Sequence, residues 1–200
     1  MRWPLAGHAI TSQSLAPGAT SATYVTTLPS NPVDGQEIYY AADAGNSVIW
    51  HLRYRAAGGT YKWEYVGGSQ MIAKDQSQRT AASVANGTFT STPTALNITA
   101  PLTGDYIASG GCTAYTNNGS NTNVGLYMGF KVGSTTPTVW GEGQQTTQNF
   151  VGIALTERYT VSSLASNGGV FEMQIAQYSG ATRNVYRQYA FMTLLPVCVG

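Results

Sequence analysis

The feature that most constrains the fold is a strict alternation of side chains in short runs. Between Ser47 and Arg55, one face carries valine, tryptophan, leucine and tyrosine, whereas the other carries isoleucine, histidine and two arginines. A period of two is the signature of a β-strand with one buried face. The run Tyr61–Tyr65 alternates in the same way, and the connection between the two runs, AAGGT, contains two glycines. The two runs are therefore predicted to form a β-hairpin.

A third strand precedes this hairpin. The turn Pro32–Gly35 combines a proline that presets φ with a glycine that tolerates positive φ, and Glu37–Tyr40 then begins the strand. Residues 28–68 are thus expected to form a small antiparallel β-module rich in Trp and Tyr. Three short strands are stable only if such rings find a partner surface, either in the rest of the chain or in a neighbouring subunit.

The sequences PVDGQEIYY, VIWHLRYR and YKWEYVGG within this module resemble a module that recurs in structural proteins of tailed bacteriophages, often ahead of a jelly-roll domain. The resemblance implies a place in the virion, on a tail, a fibre or the head surface. It also implies that other virion proteins, either of the tail or the major capsid protein, are partners.

Strand signals repeat from residue 86 to the C-terminus at the spacing of a β-sandwich. The cleanest is Val124–Val132, in which five apolar residues alternate with glycine, tyrosine and lysine. Glycines on its other face indicate close packing there as well. About eight strands emerge, the number found in a jelly roll. The other expected strands are Ala95–Thr99, Tyr106–Tyr115, Thr138–Trp140, Gln148–Leu155, Glu157–Ser162, Val170–Tyr178 and Tyr186–Val197.

The last expected strand, RQYAFMTLLPVCV, is apolar on both faces for much of its length. Such a strand in a sandwich indicates a partner on its outer side. The segments from ITAPLTGDYIASGG to LLPVCV resemble the jelly rolls of the tumour-necrosis-factor and complement type, which implies a homotrimer.

The expected organisation has four parts. Residues 1–27 show neither the strand period nor the helix period and are predicted to form an extended arm, either a disordered terminus or a segment lying on a neighbour. Residues 69–85 are predicted to be a linker, either irregular throughout or with one short strand at its end. The fold class is all-β: an aromatic antiparallel module, 28–68, followed by a jelly-roll domain, 86–200.

Composition argues against several classes of partner. Charged residues make up 10% of the chain and the net charge is +1, so no basic field is available for a nucleic acid. Apolar runs fall short of the roughly 18 to 20 residues needed to span a bilayer, and the N-terminus lacks a secretory core. We expect a protein made in the bacterial cytoplasm and carried in the virion.

We expect no catalytic, cofactor or metal site. Nucleophilic catalysis needs a base, and the chain offers only His8 and His51, the latter expected to be a half-exposed strand residue. A carbohydrate-active enzyme stays a weak alternative, which would need two of Glu142, Glu157 and Glu172 about 5 to 9.5 Å apart. The stretch GEGQQT at Gly141 lacks the lysine of a phosphate loop and is predicted to be an inter-strand loop.

The two cysteines, Cys112 and Cys198, lie in separate expected strands. They are interpreted as buried thiols acting as small apolar residues. A disulfide stays open, because it depends on whether the strands are neighbours.

Aromatic residues supply the candidate binding sites. For particle attachment or a subunit interface the candidates are Trp3, Trp50, Trp63 and Tyr65. Tyr115, Tyr127 and Trp140 are candidates for contact with host-surface glycans, since a flat ring offers an apolar face with polar edges. The alternative for these three is a place in the core or the trimer interface.

The leading hypothesis is a non-enzymatic bacteriophage structural protein, a surface appendage of the tail or fibre type. The competing role within the virion is that of a capsid decoration or head-fibre protein that stabilises the shell.

Overall fold

Alternating side chains fold this chain into two β-sheets. The computed structural model describes residues 23–117, 123–146 and 149–200. With strands numbered in chain order, the nine-stranded sheet contains β1 (Thr23–Val25), β2 (Glu37–Asp43), β3 (Val48–Tyr54), β4 (Trp63–Gly68), β5 (Met71–Asp75), β6 (Arg79–Val84), β8 (Gly104–Thr116), β11 (Val151–Val161) and β13 (Arg183–Val199). The four-stranded sheet contains β7 (Asn97–Thr99), β9 (Val124–Val132), β10 (Trp140–Gln145) and β12 (Val170–Tyr178).

The strand order of the two layers is that of a jelly roll. In the first layer β13 lies between β8 and the β5–β6 edge, and β11 pairs with the far side of β8. In the second layer the order is β7–β12–β9–β10. The chain passes between the layers as it runs from β7 to β13, so strands that are close in sequence are divided between two packed sheets. This order confirms the predicted all-β, jelly-roll fold class.

The core lies between the two layers and follows the alternation. Along β9, the side chains of Val124, Leu126, Met128 and Phe130 are at most 1% exposed. The inward side chains of β13 and β12 close the core from the two sheets and include Met192, Leu194, Phe171, Met173 and Ile175. The prediction that these alternate residues of β9 face the core is confirmed.

The aromatic module continues the first sheet, because β4 pairs with the C-terminal end of β13 through Glu64 and Cys198. Trp50 is fully buried; its ring lies 6.1 Å from that of Tyr106 in β8 and its Nε1 donates a hydrogen bond to the Ser69 carbonyl at 3.1 Å. The rings of the module therefore find their partner surface in the jelly roll of the same chain.

Residues 69–85, predicted to be a linker with at most one short strand at its end, contain two strands, β5 and β6. Both strands pair antiparallel with β13, through registers such as Met71 with Leu194 and Thr80 with Tyr186. The reason is tertiary: β13 has a free edge beyond β4, and pairing with it decides the conformation of a segment whose own pattern is weak. The division of the chain into domains stays a prediction.

The stretch GEGQQT, predicted to be a loop, lies mostly in strand β10, which pairs with β9 from Trp140 to Gln145. Its glycines reflect close packing between the layers: a Cβ on Gly141 would lie 2.2 Å from the carbonyl oxygen of Ala154. The two strands expected between residues 148 and 162 form one continuous strand, β11, although Gln148 itself lies outside the described residues.

Across the described ranges, no helix has the length and apolar character needed to cross a membrane.

Candidate functional site

Four aromatic rings converge on the outer face of the second sheet. They surround an open space of about 360 Å³. We name this site the aromatic cleft; it is lined by Phe89, Tyr127, Trp140 and Tyr178, together with Gly87, Thr88, Thr136 and Pro137.

The pleat of the second sheet directs three of these rings outward. Leu126 and Met128 face the core, so Tyr127 between them points away from it. Trp140 begins β10, and Tyr178 ends β12 opposite Gly125. Strand pairing therefore places three rings from three neighbouring strands on one surface.

Glycines in β9 let this surface pack tightly. A Cβ on Gly125 would lie 2.9 Å from Cε2 of Tyr127, and one on Gly129 would lie 2.6 Å from Cβ of Pro137. Both distances are shorter than side chains tolerate. The absence of a side chain at these positions leaves room for the Tyr127 ring and for the turn that carries Pro137.

The fourth ring, Phe89, comes from the segment that precedes β7. Asn86 fixes this segment, since its Oδ1 accepts hydrogen bonds from the backbone N–H groups of Ser179 at 2.9 Å and Gly180 at 3.0 Å. Gly87 then adopts φ +71°, and a Cβ there would lie 2.9 Å from the Tyr178 hydroxyl. Only glycine combines this backbone conformation with so close a ring.

The rings contact one another edge to face or tilted rather than stacked flat. Ring centroids are 6.1 Å apart for Tyr127 and Trp140, 5.1 Å for Tyr127 and Tyr178, and 5.8 Å for Phe89 and Trp140. Trp140 stays 44% exposed and Tyr178 49% exposed. The rings therefore hold one another in place by mutual contact and still present apolar surface to solvent.

Polar groups border the ring surface. Glu142 is exposed and lies opposite Tyr127 in the β9–β10 register. Burial, and then the charge of Glu142, raises the pKa of the Tyr127 hydroxyl, so this hydroxyl stays protonated at neutral pH. A carboxylate acceptor beside hydroxyl donors and flat rings suits a ligand with alternating apolar and hydroxyl surface, as in a sugar.

The structure brings together two of the three predicted glycan residues, Tyr127 and Trp140. Tyr115 lies on the outer face of the first sheet, where it stacks on Tyr186 with centroids 4.5 Å apart and meets Phe150 edge-on at 4.4 Å. It therefore belongs to a different surface.

The predicted attachment residues are mostly enclosed. Trp50 is 0% and Trp63 3% exposed, and Tyr65 donates a hydrogen bond from its hydroxyl to the Gly68 carbonyl at 2.8 Å. Trp3 lies outside the described residues. Exposed apolar residues of the module are Val33, Tyr39 and Val66, and Tyr24 in the adjoining β1 is exposed as well.

The three glutamates considered for hydrolysis lie on different strands. Glu157 belongs to the first sheet, whereas Glu142 and Glu172 pair with Tyr127 and Lys131, which lie four positions apart on β9. That offset corresponds to roughly 13 Å along the strand. It is longer than the spacing of a carboxylate pair that cleaves glycosidic bonds.

The remaining candidate groups have structural partners or are enclosed. His51 Nε2 lies 2.9 Å from Oε2 of Glu37. Both cysteines are free, and burial raises the pKa of the Cys112 thiol to about 12. In the β13–β8 register Cys198 lies opposite Asp105, which is seven positions from Cys112 along β8. The two cysteines are therefore roughly 23 Å apart. Among the described residues, no group of three His, Cys, Asp or Glu side chains converges to hold a metal.

Phe89 and Tyr178 were not among the residues predicted for a binding site. Alternation along Val170–Tyr178 does place Tyr178 on the outer face, so that signal was present. Phe89 lies in a segment without a period, and only its tertiary pairing with β12 brings it to the cleft.

Comparisons with known proteins give likeness of shape alone. Neither a family model nor a curated protein matches the chain. Among solved structures, the Eiger TNF of S. frugiperda is 8% identical, with a TM-score of 0.41, over 66% of this chain and 94% of that one. The globular domain of zebrafish complement 1qA is 8% identical, with a TM-score of 0.34, over 65% of this chain and 100% of that one.

A third similar structure comes from the Gt strain of infectious bursal disease virus. It is 10% identical, with a TM-score of 0.41, and the match covers 73% of this chain and 40% of that one. The assignment of the jelly-roll fold here depends on this chain's own strand order.

Proposed function

We propose that this chain is a non-enzymatic structural protein of a bacteriophage particle, and that its jelly roll presents the aromatic cleft to glycans on the host surface. The observation that carries the proposal is the convergence of Phe89, Tyr127, Trp140 and Tyr178 on one outer face, with ring surface left exposed. Contiguous apolar surface of this kind is uncommon on monomeric proteins and often marks a site of contact.

The resemblance of residues 28–68 to a phage structural module supports the assignment to a virion. This module and the cleft occupy different sheets, since β2, β3 and β4 extend the first sheet and the cleft lies on the second. Attachment to the particle and contact with a glycan can thus proceed without sharing a surface. We assign attachment to the exposed face of the module and to the N-terminal residues that carry Trp3.

The outer face of the first sheet supports self-association. Ile72 of β5 is 60% and Phe191 of β13 48% exposed, and Leu195 of β13 and Ile107 of β8 are half-buried. The registers place Phe191 between Lys74 and Gly111, and Leu195 opposite Ile107, whereas Ile72 lies opposite Thr193. These exposed apolar residues, interspersed with polar ones, are suited to burial against a second copy of the chain, and we propose a homotrimer.

An array of bacterial surface polysaccharides, probed with the purified protein, tests the proposal. We expect binding to a subset of glycans, and competition by the same soluble glycan when the protein adsorbs to cells. Immunogold labelling of particles gives the position on the virion. Labelling on the head without any glycan binding would instead support a decoration protein that reinforces the shell.

A further inference from the structure

The ring planes of the aromatic cleft lie at steep angles to one another. The angle is 84° between Tyr127 and Trp140, 70° between Tyr127 and Tyr178, and 46° between Phe89 and Trp140. Rings at such angles form separate walls of the open space and not one flat platform. A platform stacks on the face of a single sugar ring, whereas several walls can surround a compact group, as in the aromatic cages that hold methylated ammonium ions.

The faces of these rings attract positive charge. The π-electrons of an aromatic ring make its face negative, and a cation within about 6 Å of the ring centre is stabilised, most strongly over tryptophan. Trp140 is 44% and Tyr178 49% exposed, and Phe89 and Tyr127 are half-buried. The cleft therefore presents the ring type that binds cations best, with three further rings beside it.

A carboxylate borders the rings. Trp140 and Glu142 lie two positions apart on β10 and are both exposed, so their side chains share the outer face of the sheet. Glu142 also lies opposite Tyr127 in the β9–β10 register, and Cβ atoms of such a pair are roughly 4.5 to 5.5 Å apart. The charge of Glu142 reaches the cleft, since it is the second cause, after burial, of the raised pKa of Tyr127.

This negative charge is unpaired within the part of the chain that the structure describes. The residues that line the cleft are uncharged, and none of the ion pairs in that part includes Glu142. Lys131 of β9 is paired with Glu172, with its Nζ 3.6 Å from Oε2, and Nε of Arg183 donates a hydrogen bond to Oγ of Ser179 at 2.7 Å. Apolar walls beside an unpaired carboxylate favour a ligand that is both organic and positively charged.

The size of the cleft suits a single substituted unit of a glycan. Its space of about 360 Å³ lies near the lower end of the range for small-molecule sites, about 300 to 1,000 Å³. The rings already hold one another in place, so little further ordering has to accompany binding.

We propose that the aromatic cleft binds a positively charged nitrogen of the host glycan, an organic ammonium group that lies against the rings of Trp140, Tyr127 and Tyr178 and is balanced by the carboxylate of Glu142. The inference rests on the proposed function and adds to it the class of ligand. Two kinds of glycan carry such a group: those substituted with choline, a methylated ammonium, and those with a free amino sugar, whose amine is protonated at neutral pH. Both present the same charge to the cleft.

The test compares charged probes with neutral partners of nearly the same shape. Choline is paired with its carbon isostere, in which a tert-butyl group replaces the trimethylammonium group, and glucosamine is paired with glucose. Each is titrated against the full chain, with the indole N–H signal of Trp140 in the NMR spectrum as the readout of binding in the cleft. We expect at least one charged probe to bind about three- to thirtyfold more tightly than its neutral partner. The pair that shows the preference identifies the source of the ammonium group.

A matched pair of variants separates the charge of Glu142 from the shape of the cleft. Glu142→Gln removes the charge and keeps the size of the side chain, so the preferred charged probe should bind about two- to fivefold more weakly. Its neutral partner should bind as before, a pattern that a disturbance of the rings would not produce. Glu172→Gln is the control, because this carboxylate of the same sheet is already paired with Lys131; it should leave both affinities unchanged.

The outcomes distinguish this inference from the proposed function. Equal affinity of charged and neutral probes in both pairs, or a preference that Glu142→Gln leaves unchanged, would overturn the ammonium site, while a neutral polysaccharide bound on the array would still support the glycan contact. Preference for a charged probe without binding of any polysaccharide on the array would overturn the proposed function and leave a site for an organic cation. Failure of every probe and every polysaccharide to bind would overturn both.

Discussion

The guanidinium of Arg187 lies fully inside the sandwich, with its Nη2 3.2 Å from Oδ2 of Asp75. The same carboxylate accepts a hydrogen bond from Nε of Arg79 at 2.8 Å. Nε and Nη1 of Arg187 have no partner among the described residues. Asp75 is thus the counter-charge of a buried cation, and it links β5 to β13.

Asp75→Asn should therefore destabilise the protein strongly. Removing one partner of a buried pair leaves the other charge uncompensated, which costs about 3 to 5 kcal/mol. Urea unfolding measures the change, with Glu142→Gln at an exposed position of β10 as the control. A variant as stable as the control would mean that Asp75 does not balance Arg187.

Stability should also fall in acid. Hydrogen bonding to Arg79 holds the pKa of Asp75 below its usual range, and hydrogen bonds from Thr160 and then Arg158 do the same for Asp105. A carboxyl whose folded pKa is depressed contributes stability above its unfolded pKa, about 3.9, and loses it as the pH falls through the folded value. Unfolding midpoints between pH 7 and pH 2 should drop mainly below about pH 4, and less steeply in Asp75→Asn; a flat profile would contradict the assignment.

Close packing of β10 against β11 gives a matched pair of glycine substitutions. Gly141→Ala would place a Cβ 2.2 Å from the Ala154 carbonyl oxygen, whereas at Gly152 on β11 a Cβ meets nothing within 4 Å. Forced overpacking costs about 1 to 3 kcal/mol. We expect Gly141→Ala to lower the thermal midpoint and Gly152→Ala to leave it nearly unchanged; equal midpoints would mean that the two sheets are not so close here.

Strands with one buried face were predictable from the sequence, and strands fixed by their neighbours were not. In β3 and β9 large apolar residues alternate with others because one face packs on the core, so pattern and structure agree. In β10 the pattern is the reverse. The inward positions carry glycines, Gly141 and Gly143, rather than large apolar residues, because β11 leaves no room there for a side chain. The sequence therefore offered glycines, the residues typical of a loop, where the structure has a strand.

The candidate site was predictable only in part, for a related reason. Alternation indicates which aromatic residues leave the core, and so it identified Tyr127 and Trp140. It does not show which outward residues of distant segments meet, so it missed Phe89 and gave no indication that Tyr115 lies on the other sheet from Tyr127 and Trp140. It also could not tell that Trp50 is covered by Tyr106 of the same chain rather than by another subunit.

Self-association through the first sheet predicts a concentration-dependent mass. Light scattering should give three times the chain mass of 21.2 kDa for the wild type. Phe191→Asp should shift the population towards the monomer, because it would bury an unpaired charge at the interface. Trp140→Ala, on the other sheet, should leave the mass unchanged. A wild-type monomer at all concentrations, or a trimer unaffected by Phe191→Asp, would contradict this use of the face.

The most direct test of glycan binding is the dissociation constant of Trp140→Ala for the polysaccharide that binds best on the array. Phe150→Ala is the matched control, since Phe150, just before β11 and against Tyr115 of the first sheet, is 43% exposed and Trp140 is 44% exposed in the cleft. Truncating a central aromatic contact costs about 1.4 kcal/mol or more, so we expect Trp140→Ala to bind at least about tenfold more weakly. The control should bind like the wild type. Equal constants for Trp140→Ala and the wild type, or an equal loss in Phe150→Ala, would contradict the aromatic cleft as the glycan site.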